Sequence, residues 1–109
     1  MANIETKVAG TTFEKRQNTL MGMRKLIEKG EKVSIVLVRE PGNEKDPNAV
    51  KVLTRWKKND QTRRAQIGYL PKEVAAEVAP LMDNKTFVRV HSFNITNTKI
   101  VGVKLNLAY

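Results

Sequence analysis

Two stretches of the sequence carry side chains whose chemistry suits a ligand. The first, residues 43–48, contains Asn43 and an Asp-Pro-Asn turn in which Asp46 presents a carboxylate. A carboxylate accepts hydrogen bonds from hydroxyl and amide donors and repels phosphate. An aspartate in such a turn also commonly bonds to its own backbone, so a structural role and a binding role are both open.

The second stretch, residues 55–64, is the most basic window of the chain and has Trp56 within it. Its basic side chains are Arg55, Lys57, Lys58, Arg63 and Arg64. This composition predicts a solvated loop that joins two strands. The five side chains together are a candidate surface for a nucleic-acid backbone, although each of them alone is typical of an ordinary solvated residue.

The chain has few residues of the types that catalysis or metal binding requires. The chain has a single histidine, His91, no cysteine and no glycine-rich phosphate motif. A lone histidine in a predicted strand is more often a packed or surface residue than a base, and scattered carboxylates give no coordination spacing. We expect a binding protein rather than an enzyme, with no catalytic residues, metal or cofactor.

The charge of the chain points to a polyanionic partner. Lys and Arg number 20 against 11 Asp and Glu, which gives a formal net charge of +9. Such an excess is typical of nucleic-acid-binding domains, because each neutralised phosphate releases a counterion. Two alternatives remain open: a protein-interaction module that docks an acidic partner, such as a helicase or nuclease component, and an RNA-binding protein.

Length and composition predict one globular domain over residues 1–109. Apolar residues make up 40% and charged residues 28% of the chain, which is sufficient for a core. The absence of cysteine favours a reducing compartment. The sequence has neither a secretory signal nor an apolar run long enough to cross a bilayer, so we expect a cytoplasmic protein that does not bind membranes. The oligomeric state is open.

Hydrophobic periodicity predicts six strands and two helices. The strands are expected at residues 4–13, ending near Gly10, and at 32–39, 49–54, 65–70, 87–95 and 102–107. One helix should begin at an Asn18 cap and end before Gly30. The other should have Pro71 at its first position and break or restart at Pro80. These elements predict an α+β, mainly β domain: a small six-stranded barrel with two inserted helices.

Three segments resemble a known family: VAGTTF at residues 8–13, LVREPGNEKDPNAVKV at 37–52 and QIGYLPKEVAAEVAPLMDN at 66–84. In this order they are similar to the HIRAN domain, over roughly residues 7–107. That domain is found in some eukaryotic DNA translocases and as a free-standing protein in bacteria and phages. The resemblance implies an OB-like barrel that captures the 3′-hydroxyl end of single-stranded DNA, in DNA repair, replication or phage DNA processing.

The resemblance also implies roles for individual residues. Asp46 matches the family aspartate that accepts a hydrogen bond from the terminal hydroxyl, and Asn43 lies beside it on the same loop. Phe13 matches an aromatic residue that stacks on a base near the end. Tyr69 matches a ring residue that contacts the strand, and Lys72 matches a lysine that contacts phosphate.

The chain departs from the family pattern at three places. Lys45 occupies the position of a second stacking aromatic residue, and Thr12 occupies that of an arginine. Lys99 and Ile100 lie where another stacking aromatic is expected. A lysine can replace stacking with a phosphate contact, which would make binding more sensitive to salt and less specific for a strand end.

Overall fold

The computed structural model describes residues 2–13 and 15–109, which form six strands and two helices. The elements are β1 (Asn3–Lys7), α1 (Arg16–Glu28), β2 (Val33–Arg39), β3 (Val50–Lys58), β4 (Gln61–Tyr69), α2 (Lys72–Asp83), β5 (Arg89–Ile95) and β6 (Val103–Ala108). Alternation of apolar and polar side chains sets the faces of the strands. In β6, for example, Val103, Leu105 and Leu107 are buried whereas Lys104 is exposed.

The strands pair in two three-stranded antiparallel sheets, ordered β2–β3–β4 and β1–β6–β5. In the first sheet, β2 pairs antiparallel with β3, with Arg39 opposite Val50. The six strands therefore do not close into one barrel, which corrects the predicted six-stranded barrel. Among the described residues, the two sheets share one isolated backbone bridge, between Ala9 and Tyr69, instead of a continuous ladder. The domain is α+β and mostly β, as predicted, with its strands divided between two sheets.

The bridge between the sheets depends on a glycine. Ala9 donates its N–H to the carbonyl of Tyr69 at 2.8 Å, and Tyr69 donates to the carbonyl of Ala9 at 3.0 Å. Gly68 lies directly against this pair, so that a Cβ at position 68 would overlap the Ala9 carbonyl oxygen and the Val8 side chain. Only a residue without a side chain permits this approach.

The core lies between the inner faces of the two sheets and the two helices. Val52 and Ile67 come from one sheet and Leu107 from the other, whereas Leu20 belongs to α1 and Val78 to α2, and all five are fully buried. Burial of side chains of this size contributes about 1.5–3 kcal/mol each to stability. A shared core therefore holds the sheets together although their backbones meet at one bridge.

The first helix begins earlier than predicted and ends as predicted. Asn18 is not the cap, because α1 starts at Arg16 with Lys15 at the N-cap position. At the other end, Gly30 has a positive φ of 83° and donates to Ile27 at 2.9 Å, while Glu31 donates to Leu26 at 3.0 Å. These two bonds form a Schellman motif, which satisfies carbonyls that would otherwise lack partners.

The second helix is continuous, so the predicted break at Pro80 is wrong. Pro71 is the N-cap residue rather than the first helical residue, and α2 runs from Lys72 to Asp83 with Pro80 inside it. Proline removes one backbone hydrogen bond, but Pro80 lies in the last part of the helix and is exposed to solvent. Val78 and Ala79 are completely buried beside it. Their packing holds the helical path through the proline.

Neither helix in the described part of the chain has the length and apolar character needed to cross a membrane.

The basic window is not a loop, contrary to the prediction. Residues 55–58 complete β3 and residues 61–64 begin β4, so that the two strands form a long hairpin. Asn59 and Asp60 make the turn with φ values of 52° and 64°. Two consecutive residues with positive φ are typical of a type I′ turn, whose twist matches that of the paired strands.

Arg39 connects the end of β2 to α2 and to the loop before β3. It donates from Nε to Asp83 Oδ1 at 2.9 Å and from Nη2 to Oδ2 at 3.1 Å. It also donates to the carbonyls of Ala49 at 2.8 Å and Pro47 at 3.1 Å. This bidentate ion pair and the two backbone contacts fix residues 47–49 against the sheet.

Replacement of the buried Thr54 by valine should stabilise the protein. Thr54 is fully buried in β3, and its hydroxyl has no hydrogen-bond partner among the described residues. Because an unpaired buried hydroxyl costs about 1–3 kcal/mol and valine keeps the shape, we expect Thr54→Val to raise the unfolding free energy by about 1 kcal/mol. Denaturant titration measures this, with the exposed Thr62→Val as control. A lower midpoint for Thr54→Val would contradict the expectation.

Removal of the charge of Asp83 should destabilise the protein in a pH-dependent way. The hydrogen bond from Arg39 holds the pKa of Asp83 below its ordinary value. A group whose pKa is lower in the folded state stabilises the fold above its unfolded-state pKa and loses this effect as the pH falls through its folded-state pKa. We expect Asp83→Asn to lower the thermal midpoint at pH 7, and the difference from wild type to disappear in strong acid.

The control for this experiment is Glu28→Gln, which removes an exposed carboxylate at the end of α1. The Arg39 ion pair would not be the source of the effect if Glu28→Gln lowered the thermal midpoint equally. The same would follow if the difference between Asp83→Asn and wild type did not change with pH.

Candidate nucleic-acid interface

The loop from residue 40 to residue 49, the end of β4 and the start of α2 meet at one end of the β2–β3–β4 sheet. This follows from the antiparallel register, in which Arg39 lies opposite Val50 and Lys51 lies opposite Tyr69. Leu70 then donates to the carbonyl of Val50 at 3.0 Å, which holds the start of α2 beside β3. Three separate sequence segments therefore contribute to a single surface.

Glu40 is the centre of a polar cluster on this surface. Its Oε1 accepts from the side-chain amide of Asn43 at 2.6 Å and from the hydroxyl of Tyr69 at 3.0 Å. Its Oε2 pairs with Lys51 Nζ at 3.0 Å. The hydrogen bond from Asn43, followed by that from Lys51, lowers the pKa of Glu40 from its ordinary value. The carboxylate is thus ionised at neutral pH and holds the loop, β3 and β4 together.

Asn43 and Asp46 order the loop itself. Asn43 Oδ1 accepts from the backbone N–H groups of Lys45 at 2.9 Å and Asp46 at 3.0 Å. Asp46 Oδ1 in turn accepts from the N–H of Asn48 at 2.9 Å. The turn-forming role of Asp46 is therefore present. The bond that Asp46 accepts from a described residue uses its Oδ1, which leaves its Oδ2 to accept from a ligand. The turn-forming role and the binding role considered for Asp46 are therefore compatible.

Phe13 and Tyr69 both lie close to the guanidinium of Arg16. The Arg16 guanidinium carbon is 5.4 Å from the centroid of the Phe13 ring and 5.7 Å from that of Tyr69. Arg16 also donates to the carbonyl of Gly10 at 2.9 Å, which fixes its position. Phe13 is 59% exposed and so is not a core residue. The arrangement offers an open aromatic face and a cation close to each other.

A continuous chain of contacts thus joins most of the predicted loop residues to the aromatic residues. It runs from Phe13 through Arg16 to Tyr69, and from there through Glu40 to the Asn43–Asp46 loop. Lys45 and Lys72 are exposed at the same end of the sheet, Lys45 in the loop and Lys72 as the first residue of α2. This end of the sheet therefore carries the cations Lys45, Lys72 and Arg16 as well as the Asp46 carboxylate.

The basic residues of the hairpin lie in a different region and are divided between its two faces. Arg55 lies opposite Arg64, and Trp56 lies opposite Arg63, towards the far end of β3 and β4. Trp56 is five residues beyond Lys51 along β3, which is about 17 Å at the usual rise of a strand. The structure therefore does not bring these predicted residues together with the loop around Asp46.

Three residues of this surface were missed by the sequence analysis: Glu40, Lys51 and Arg16. Glu40 is part of the Arg-Glu-Pro pattern, but its spacing from Tyr69 in the sequence gives no sign that the two side chains touch. Lys51 is recognisable only from the register of β3 with β4. Arg16 follows Phe13 by three residues, a spacing that brings side chains together in a helical turn and could have indicated the contact.

His91 is exposed on β5, in the other sheet. Within the described residues, no group of three or more His, Asp or Glu side chains is arranged to hold a metal ion.

Comparison with known proteins gives matches to parts of larger chains. The chain is 38% identical over 80 residues to a Fanconi-associated nuclease 1 homolog of Oryza sativa subsp. japonica, covering 73% of this chain and 7% of that protein. It is 45% identical over 51 residues to a helicase-like transcription factor of Oryctolagus cuniculus, covering 47% of this chain and 4% of the relative. No solved structure matches the chain.

A third relative, a putative SWI/SNF-related matrix-associated actin-dependent regulator of chromatin subfamily A member 3-like 1 of Arabidopsis thaliana, is 44% identical over 52 residues. That match covers 48% of this chain and 5% of the relative. The chain thus spans less than a tenth of the length of each of these proteins. The model of the HIRAN domain family matches residues 1–107, which include the loop of Asp46, the aromatic residues Phe13 and Tyr69, and both helices. With nearly its whole length matched, the chain belongs to the HIRAN domain family.

Proposed function

We propose that this domain binds DNA as a single strand and captures its 3′-hydroxyl end, without itself catalysing a reaction. The observation that carries the proposal is the ordered loop that presents the Asp46 carboxylate on a surface with Phe13, Arg16 and Tyr69. A cysteine-free chain suits the reducing cytoplasm, which is the compartment that we propose.

Asp46 would select the chemical form of the strand end. Its Oδ2 can accept a hydrogen bond from a terminal hydroxyl, whereas a phosphate at the same place would bring two negative charges together. The selectivity depends on a fixed carboxylate position, because a mobile side chain could turn away from the phosphate. The hydrogen bonds that the loop N–H groups donate to Asn43, and the one that the Asn48 N–H donates to Asp46, supply this rigidity.

The aromatic residues and cations would hold the adjoining nucleotides. A base stacked on an aromatic ring is worth about 1–3 kcal/mol, and the exposed Phe13 ring has a face available for it. Lys45 and Lys72 would contact phosphates, with Lys72 beside the N–H groups at the start of α2. Arg16 offers the guanidinium that the family arginine would supply, although position 12 is a threonine.

The relatives support a role on DNA through their names. One is named as a nuclease homolog and another as a helicase-like transcription factor, and each contains a segment similar to this chain. Proteins of both kinds act on nucleic acids, and a small binding module within them would serve to bring the larger protein to its substrate. We therefore propose that this domain also works beside a DNA-processing partner.

Substitution of Asp46 should remove the preference for a 3′-hydroxyl end. We expect wild type to bind an oligonucleotide ending in a 3′-hydroxyl about tenfold more tightly than one ending in a 3′-phosphate, as one charge-assisted hydrogen bond permits. Asp46→Ala should lose the preference. Asp46→Asn keeps the turn bond to Asn48 but not the charge, so it should also accept the phosphate end. Fluorescence anisotropy at two salt concentrations measures all three.

The outcomes separate the alternatives. Equal binding of both ends by wild type would reduce the domain to a general single-strand binder. Absence of DNA binding at low salt would favour a protein partner, and tighter binding of RNA than of DNA with the same sequence would favour an RNA-binding protein. Cleavage of the labelled strand that needs a divalent metal would overturn the proposal that the domain is not an enzyme.

Neutralisation of Glu40 should weaken DNA binding although it removes a negative charge. Simple electrostatics predicts tighter binding of DNA by Glu40→Gln. We expect several-fold weaker binding instead, because the ion pair to Lys51 is lost and the contacts that hold Tyr69 and Asn43 are disturbed. Glu44→Gln is the matched control, since it makes the same charge change on an exposed residue of the same loop. Tighter binding by both variants would show that Glu40 does not position the loop.

A further inference from the structure

A groove lies between α1 and the hairpin end of β3 and β4, away from the surface of Asp46. Its volume is about 810 Å³. Gly22 of α1 and Trp56 of β3 line it, together with four lysines, Lys25, Lys29, Lys57 and Lys58. Glu31 is the one acidic residue among the described lining residues, so the lysines give the groove a net charge of +3. We refer to this feature as the tryptophan groove.

The groove is open because the middle of α1 carries no side chain at position 22. A Cβ there would meet no described atom within 4 Å, so close packing inside the domain does not demand a glycine. Glycine is also less favourable than alanine in a helix interior. Glycine at position 22 therefore does not stabilise the fold through any described contact, whereas a bulky residue at this position would occupy the groove.

Trp56 continues the inward-facing row of β3 beyond the core. Val50, Val52 and Thr54 precede it at alternate positions and are completely buried, whereas Trp56 is only half-buried. The side chain therefore leaves part of its ring accessible in the groove, with Lys57 following it on the strand. An aromatic face among lysines is the combination on which single-stranded nucleic acids stack and neutralise their backbones.

We propose that the tryptophan groove is a second binding site for single-stranded nucleic acid, with a base against Trp56 and the backbone phosphates against the lysines. Arg63 lies opposite Trp56 on the same face of the hairpin, so the bound strand would continue towards it, whereas Arg55 and Arg64 lie on the other face. The inference rests on the proposed function for the class of ligand. The site itself is separate, at about 17 Å along β3 from Lys51.

A nucleic acid fits the groove better than an acidic peptide does. Four lysines would attract either of them, but the flat ring of Trp56 has a stacking partner in every base, whereas carboxylate side chains have no comparable face. Because lysines from α1 and from β3 line the same groove as the ring, one strand would contact both elements.

The intrinsic fluorescence of Trp56 tests the proposal directly, because this is the only tryptophan of the chain. The probe is an oligothymidylate with a 3′-phosphate, which avoids capture of a hydroxyl end. We expect saturable quenching by wild type. For Lys29→Gln/Lys57→Gln, affinity should fall and the slope of log K against log salt should decrease by about 1.4, at about 0.7 for each phosphate contact to a single strand.

The matched control is Lys7→Gln/Lys104→Gln. These two lysines are exposed and lie opposite each other in the β1–β6 pair, so the variant loses the same charge from the other sheet. Its slope and quenching should stay close to those of wild type. Equal losses in both double variants would mean that only the total charge matters, which would overturn a specific site in the groove.

Substitutions at Gly22 separate binding from folding. We expect Gly22→Leu to raise the thermal midpoint, since leucine favours the helix, and to abolish quenching by filling the groove. Gly22→Ala should raise the midpoint and keep most of the quenching. A merely structural role for this region would make binding follow stability, so retained quenching in Gly22→Leu would overturn the proposal.

Failure of the groove is distinguishable from failure of the end site. Asp46→Ala should lose the preference for a 3′-hydroxyl and keep the quenching of Trp56. Lys29→Gln/Lys57→Gln should keep the preference for a 3′-hydroxyl and lose affinity in the quenching titration. Absence of quenching by the oligothymidylate overturns the groove proposal even if the end preference is found. Quenching by polyglutamate in its place would also overturn it and would point to an acidic protein partner.

Discussion

The close approach of Ala9 to Gly68 and Tyr69 is the constraint on which the rest of this HIRAN domain depends. It joins two sheets that share a core and that, in the described part of the chain, have no continuous ladder of hydrogen bonds between them. It also directs the chain after β1 past the end of β4, so that Phe13 and Arg16 arrive beside the Tyr69 ring. A side chain at position 68 would separate these partners, because it would occupy the space of the Ala9 carbonyl.

Although the chain is strongly basic, carboxylates hold this surface together, because hydrogen bonds and ion pairs fix their positions. Glu40 is compensated by Lys51, and Asp83 is compensated by Arg39. These two acids act as connectors: one fixes the loop to β3 and β4, and the other fixes α2 to β2. Asp46 differs from them, because its recorded bond comes from a backbone N–H rather than from a cation.

Most of the secondary structure could be predicted from the sequence, because alternation and helical spacing report burial directly. The errors have identifiable causes. The charge of the basic window 55–64 predicts a loop, but the Asn59–Asp60 turn and cross-strand pairing extend two strands through it. Pro80 predicts a break or restart in α2, but the buried Val78 and Ala79 hold the helix. In both cases tertiary packing outweighed local composition.

The sequence by itself determined the α+β class, the family, the net positive charge and the loop that contains Asn43 and Asp46. Periodicity, net charge and an ordered motif are properties of the linear chain, so no contact was needed to recognise them. Only the tertiary structure decided that the strands form two sheets, that Glu40 holds Tyr69 and Lys51, and that the hairpin cations lie apart from Asp46. Those facts depend on strand register and on the path around Gly68, which local sequence does not specify.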